Sequence, residues 1–420
     1  MADDIERGLE SSLRRKLLMG MAALPAAALM PKFALGAGPA TSEVNTTGLA
    51  VTDTEVTVGI LHSVTGTMAI SETGSVQAEK LAIEQINAAG GVLGRKIKFI
   101  QEDGASDWPT FAEKAKKLLV QDKVAAVMGC WTSASRKAVL PVFEQYNGML
   151  YYPTFYEGLE QSKNVIYTGQ EATQQILAGL DWVQTEKGAK TFYLIGSDYI
   201  WPRTSMKIAR KHIEGHLKDS SVVGEEYFPL GHTQFNSVIN KIKLRKPDVI
   251  YAAVVGGSNV AFYKQLKAAG IDLSKQTLLT ISVTEDEIDG IGGENIAGAY
   301  SCMKYFQSLE NDNNKEFVAE FKKMWGEKTV IGDVTQAAYL GPWLWKFAVE
   351  KANSFDVDKV AAASPGIEFT KAPEGYVKVH ENHHLWSKTR VGQAQTDGQF
   401  KVVYETADLI EPNPFPEGYQ

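Results

Sequence analysis

The chain has 420 residues, 44% of them hydrophobic and 22% charged, with a formal net charge of −7. That composition belongs to a folded globular protein, and the length calls for two domains of roughly 100–200 residues each. The surplus is acidic, and the basic residues past residue 32, such as Lys114, Lys116 and Lys117, have the spacing of solvated helix faces, which excludes nucleic acid as a partner.

At the start, Arg14-Arg15 precede an apolar run from Leu17 to Met30, followed by small residues from Ala34 to Ala40 where a signal peptidase could cut. The long polar stretch before the run predicts a twin-arginine export signal over residues 1–37 and a periplasmic mature chain. No later run is long enough to cross a membrane, so no membrane insertion of the mature chain is expected. The two cysteines, Cys130 and Cys302, do not make a disulfide framework.

From residue 55 short β-rich runs alternate with amphipathic helical stretches. Val56–Leu61 reads as a central strand, and Val76–Ala89, with Leu81, Ala82, Ile83 and Ile86 on one face, as a helix stopped by Gly90-Gly91. Strand 97–100, helix 110–120, strand 124–128, helix 134–146 and strand 149–152 continue the series. A second series opens with helix 174–187. It alternates strands 192–196, 222–227, 249–255 and 277–281 with helices 204–217, 236–244 and 260–269. This predicts an α/β fold of parallel sheets in two doubly wound lobes.

After Ala299 come helices 315–325 and 335–352, then strand-like segments 376–380, 390–395 and 400–404, with Asp397-Gly398 as a hairpin turn. A tail returning to both lobes implies a multi-crossing hinge. The expected division is residues 1–37 as the signal, 52–169 plus 303–352 as lobe 1, and 170–302 plus 353–410 as lobe 2.

No pattern of a catalyst stands up. His380-Glu381-Asn382-His383-His384 matches H-E-x-x-H, but that zinc site needs both imidazoles on one helix, and here the string follows a strand and reads as a polar surface loop. Gly290-Ile-Gly292-Gly293 lacks dinucleotide-fingerprint spacing, and neither a P-loop nor a G-x-S-x-G elbow occurs. No enzyme, cofactor or metal is expected.

Ligands of doubly wound sheets sit beyond the carboxyl ends of the strands. There Trp131, Thr132 and Ser133 end one strand and open a helix whose free amides can hold a carbonyl oxygen. Tyr152 and Thr154 leave the next strand in an aromatic stretch, Tyr151–Gly158, and Tyr199 and Trp201 hold the same place in the second series. Aromatic walls with a few hydroxyls suit a small, flat, polar, neutral solute.

Four strings carry a resemblance: Gly129–Gly158 (GCWTSASRKAVLPVFEQYNGMLYYPTFYEG), Ile195–Arg203 (IGSDYIWPR), Val223–Phe235 (VGEEYFPLGHTQF) and Ala372–Val379 (APEGYVKV). Together they resemble the type I periplasmic binding proteins, in the branch of receptors for urea and short-chain amides. The resemblance implies two α/β lobes joined by three crossings, a neutral amide such as urea closed between them, and delivery to ABC transporter permease subunits. It places ligand contacts at Ser133, Tyr152 and Thr154, with Trp201 as the covering aromatic. The chain departs from the branch at Trp201, at Gly169–Gln175 and at Gln336. Receptors for branched-chain or other amino acids, and amide-sensing regulatory proteins, are the alternatives.

Overall fold

The computed structural model describes residues 38–420, so the predicted export signal at 1–37 lies outside the described residues. Strands β1 (Glu55–His62), β2 (Lys96–Asp103), β3 (Val127–Gly129), β4 (Leu150–Tyr152) and β5 (Val165–Tyr167) form one wholly parallel sheet in the order β2-β1-β3-β4-β5. The crossovers are helices α1 (Ala69–Ala88), α2 (Trp108–Lys116) and α3 (Ser133–Gln145). β1 is buried along its last five residues, as a central parallel strand covered on both faces must be.

The chain then crosses to the second lobe through α4 (Ala178–Lys187). Strands β6 (Thr191–Ser197), β7 (Ser221–Phe228), β8 (Val249–Ala253), β9 (Thr277–Thr280) and β10 (Tyr300–Met303) alternate with α5 (Ile200–Gly215), α6 (Asn236–Arg245), α7 (Ser258–Ala268) and α8 (Glu285–Ile291). Helices α9 (Asp312–Trp325), α10 (Asp333–Ala352) and α11 (Val357–Ala363) lead to a small antiparallel sheet of β11 (Glu368–Ala372), β12 (Gly375–Val379) and β13 (Leu385–Trp386). Strands β14 (Arg390–Ala394) and β15 (Phe400–Glu405) finally join β10 antiparallel, giving the order β15-β14-β10-β9-β8-β6-β7.

Two expectations need correction. Residues 353–386, assigned to lobe 2, pack on lobe 1. Phe355, Val360, Phe369, Val377 and Leu385 share a buried cluster with Val56 and Ile60 of β1, and Tyr167 of β5 bridges to His384. Alternating apolar residues mark these segments as strands, but which sheet they cover is set by tertiary contact. Helix α1 also begins at Ala69, seven residues or about two turns before the predicted Val76. Its first turns carry Ser71, Glu72 and Ser75, all buried although polar, which a hydrophobic period cannot register.

Candidate functional site

The parallel register sets β1 beside β3, with Leu61 opposite Gly129 and the Cys130 N–H donating to the Leu61 carbonyl at 2.8 Å. A Cβ at Gly129 would stand 2.3 Å from the Leu61 oxygen, so this close approach requires glycine. Just past it, Thr132 caps α3. Its hydroxyl accepts from the Ser135 N–H and donates to the Ser135 Oγ, both at 2.9 Å.

Ser133 is engaged within the protein. Its hydroxyl donates to Glu157 Oε2 at 2.6 Å and accepts from Arg136 Nη1 at 3.1 Å. Arg136, fully buried, also donates through Nε to Glu160 at 2.7 Å and lies over the rings of Tyr152 and Tyr156, 4.7 and 4.4 Å from their centroids. Burial works against the Glu160 carboxylate, but Arg136 and Lys137 outweigh it and hold Glu160 down at about 2. The Tyr152 hydroxyl donates to the Trp131 carbonyl at 2.7 Å.

The second lobe meets this wall through aromatic rings. Trp131 packs edge-on to Phe155 at 5.8 Å, Phe155 lies 5.5 Å from Trp201, Trp201 6.4 Å from Tyr199, and Tyr199 6.4 Å from Trp108. Trp201 is in the first turn of α5, where Pro202 is tolerated because the first-turn amides lack helical partners anyway. The lobes touch directly as well, the Gly257 N–H donating to the Thr67 carbonyl at 3.2 Å. Of the predicted residues, Trp131, Tyr199 and Trp201 belong to this chain of rings, while Thr132, Ser133 and Tyr152 bond to partners within the first lobe.

Several buried polar atoms at these strand exits have no partner in the protein: Trp131 Nε1, Thr154 Oγ1, Trp201 Nε1 and both side-chain amide atoms of Asn259, on residues no more than 2% exposed. A buried polar group left unpaired costs about 1–3 kcal/mol, which makes these atoms candidates for a further partner. Sequence reading missed Phe155, Trp108 and Asn259. The strand-exit rule that flagged Trp131 also applies to β8, which Asn259 follows, whereas Trp108 reaches the site only through tertiary packing.

The H-E-x-x-H string sits in the loop between β12 and β13, not on a helix. It is not a surface loop throughout. His384 is fully buried, stacked 4.2 Å from the Tyr167 ring, with Nε2 2.5 Å from the Tyr156 hydroxyl. Burial pushes its imidazole down to about 3, so the ring is neutral and structural. Among the described residues no group of three or more His, Cys, Asp or Glu could hold a metal, and no helix is long and apolar enough to cross a membrane.

The model of the periplasmic binding protein domain matches residues 56–420. The Leu/Ile/Val-binding protein homolog 7 of Brucella suis is 25% identical over 389 residues, covering 88% of this chain and 96% of that protein. A Geobacillus stearothermophilus protein named limonene hydroxylase is 36% identical over 124 residues, but the chain spans only 23% of its length. The crystal structure of an ABC transporter solute-binding protein from Rhodopseudomonas palustris HaA2, in complex with p-hydroxybenzoic acid, superposes with a TM-score of 0.77 at 22% identity, covering 87% of this chain and all of that one.

Proposed function

The chain belongs to the periplasmic binding protein family, and from that premise we propose that it captures urea or a short-chain amide between its lobes in the periplasm and delivers it to an ABC permease. The observation that carries this reading is the closed wall of Trp131, Phe155 and Trp201 with the unpartnered Thr154 Oγ1 and indole N–H groups beside it. A planar, neutral solute has apolar faces for such rings, one carbonyl oxygen for donors and amino groups for acceptors. The indole N–H groups and the amides opening α3 donate to oxygen, while the Tyr152 and Thr154 hydroxyls accept from nitrogen.

Delivery needs no covalent step. Both lobes contribute to the wall, so solute binding favours the closed arrangement over an open one. The export reading of residues 1–37 places this capture outside the cytoplasm and argues against an internal amide sensor. A second reading, an amino-acid receptor, is favoured by the name of the Brucella relative. It requires a partner for an α-carboxylate as well as one for an ammonium group. Calorimetric titration with urea, acetamide, formamide and leucine separates the two. Saturable heat from an amide and none from leucine is expected, and the reverse result would replace the amide reading.

A further inference from the structure

At the exit of β1, beside the wall just described, lies a group of charged side chains. His62 is fully buried, its Nδ1 3.3 Å from Glu72 Oε2 and its Nε2 2.8 Å from Glu79 Oε1. The Ser63 N–H donates to the same Glu72 oxygen at 2.7 Å. Both glutamates come from α1, seven positions apart and so on one face. The last β1–β3 register pair, Leu61 with Gly129, and the Cys130 N–H on the Leu61 carbonyl set the exits of the two strands, His62 and Cys130, side by side. Glu72 stands one turn into α1 from Met68, next to the Thr67 carbonyl that takes the Gly257 N–H of the other lobe. It is thus at the cleft end of its helix, 1% exposed.

The cations near this place are already engaged. Arg136 gives its nitrogens to Glu160, Ser133 and Glu157, and tyrosine rings cover it. His62 is held between its two glutamates, and across the cleft Arg203 pairs with Asp198. Burial alone would depress the His62 imidazolium, but Glu79 and Glu72 outweigh it and hold it up at about 10. On the lid, burial raises the Tyr199 phenol well above its ordinary value, and Tyr152, Glu157 and Glu72 push the same way against Arg136. The lid hydroxyl therefore lies within the field of both carboxylates. A ligand carboxylate closed in here meets like charge, and Arg136, His62 and Arg203 are already paired.

We infer, resting on the cleft reading above, that Glu72 accepts the ligand's N–H groups and is the residue by which the cleft admits amides and rejects carboxylic acids of the same shape. The hydrogen bonds of Glu72 fall on Oε2, from Ser63 and His62, which fixes the carboxylate and leaves Oε1 as the oxygen offered to the ligand. The unpartnered Thr154 Oγ1 and Trp131 Nε1 complete the polar set on the same lobe.

The test uses matched pairs, acetamide with acetate and benzamide with benzoate, titrated calorimetrically into the mature chain and into Glu72→Gln. In the pair that fits, the amide is expected to bind at least tenfold more tightly than the acid, and Glu72→Gln to narrow that gap at least tenfold. An acid bound more tightly than its amide overturns the inference, as does an unchanged gap in Glu72→Gln. If Glu72→Gln fails to fold, Glu72→Asp keeps the charge and withdraws it by one methylene. It is expected to lose amide affinity while still rejecting the acid, and unchanged amide affinity overturns the inference. Binding of benzamide without urea or acetamide removes the small-amide reading and leaves the role of Glu72 standing. Binding of neither pair overturns both.

Discussion

Single residues on the cleft separate into those committed to the protein and those free for a solute. Thr154 is free: its hydroxyl is buried and unpartnered. Thr154→Val keeps the shape and removes the hydroxyl, so the ligand-free melting temperature should hold or rise while affinity for the amide falls about tenfold, a loss of about 1.4 kcal/mol. Calorimetry and thermal melting read the two effects apart. Ser133 is committed, bridging Arg136 and Glu157. Ser133→Ala should therefore lower stability by about 1–3 kcal/mol before any ligand is added, in contrast to Thr154→Val. Two histidines predict opposite pH dependence. His62 is held protonated to about 10, so its contribution is present below its ordinary value of 6.5 and is lost as pH rises toward 10. His384 is held neutral to about 3, so the fold loses stability as pH falls from 6.5 toward 3, where only the unfolded chain takes up the proton. Melting curves of wild type, His62→Gln and His384→Asn across pH should show each variant flattened in its own window.

At the scale of elements, the connections between lobes are braced sideways by glutamine amides. Gln170 Nε2 donates to Thr389 Oγ1 at 3.0 Å, and Gln174 Nε2 donates to the carbonyls of Leu385 at 2.8 Å and Ile410 at 3.0 Å. The segment just after β5 is thereby tied to β13, to Thr389 between β13 and β14, and to Ile410 beyond β15. These glutamines belong to Gly169–Gln175, one of the stretches where the sequence departs from the urea and amide receptors. Glu171, in the same stretch, is pushed up to about 7 by burial, against the pull of its hydrogen bonds from Thr173. Gln174→Ala removes the Gln174 donor from the buried Leu385 carbonyl, while the Ile410 carbonyl keeps the Ser387 N–H, and should cost about 1–3 kcal/mol in chemical denaturation. Because no cleft atom is removed, a change in solute affinity in that variant would report the hinge itself.

For the whole molecule, one place where the lobes meet is a glycine turn. Gly256 has φ +60°, and a Cβ there would lie 2.8 Å from the Thr67 carbonyl of the other lobe, next to the Gly257–Thr67 hydrogen bond. Gly256→Ala should hold the lobes apart. A larger radius of gyration by small-angle scattering in saturating urea, together with at least tenfold weaker binding, is expected. Wild type should contract when urea is added and should melt higher, by about 2.7 kcal/mol of added stability at a hundredfold excess over Kd. An unchanged radius in both proteins would count against closure as the capture step.

The local rules were sufficient for much of this protein. Alternation of short apolar strands with helices of period 3.6 is written in nearest-neighbour spacing, so the parallel strands of both sheets and most of their helices were legible. The strand-exit rule likewise flagged Trp131, Tyr199 and Trp201, whose rings lie in one aromatic chain with Phe155 and Trp108. What the sequence could not carry is who meets whom across distance. Residues 353–386 have the same alternation whichever lobe they cover, and only packing against β1 and β5 sends them to the first. Glu72 and Glu79 look like solvated helix positions until the β1 exit brings His62 between them. The imidazoles of His380-Glu381-Asn382-His383-His384 likewise look polar and free until Tyr156 and Tyr167 close over His384. Hydrophobic periodicity records which face of an element leaves water. The cost of burying a charge is met by a partner distant in sequence, and only the tertiary structure supplies that partner.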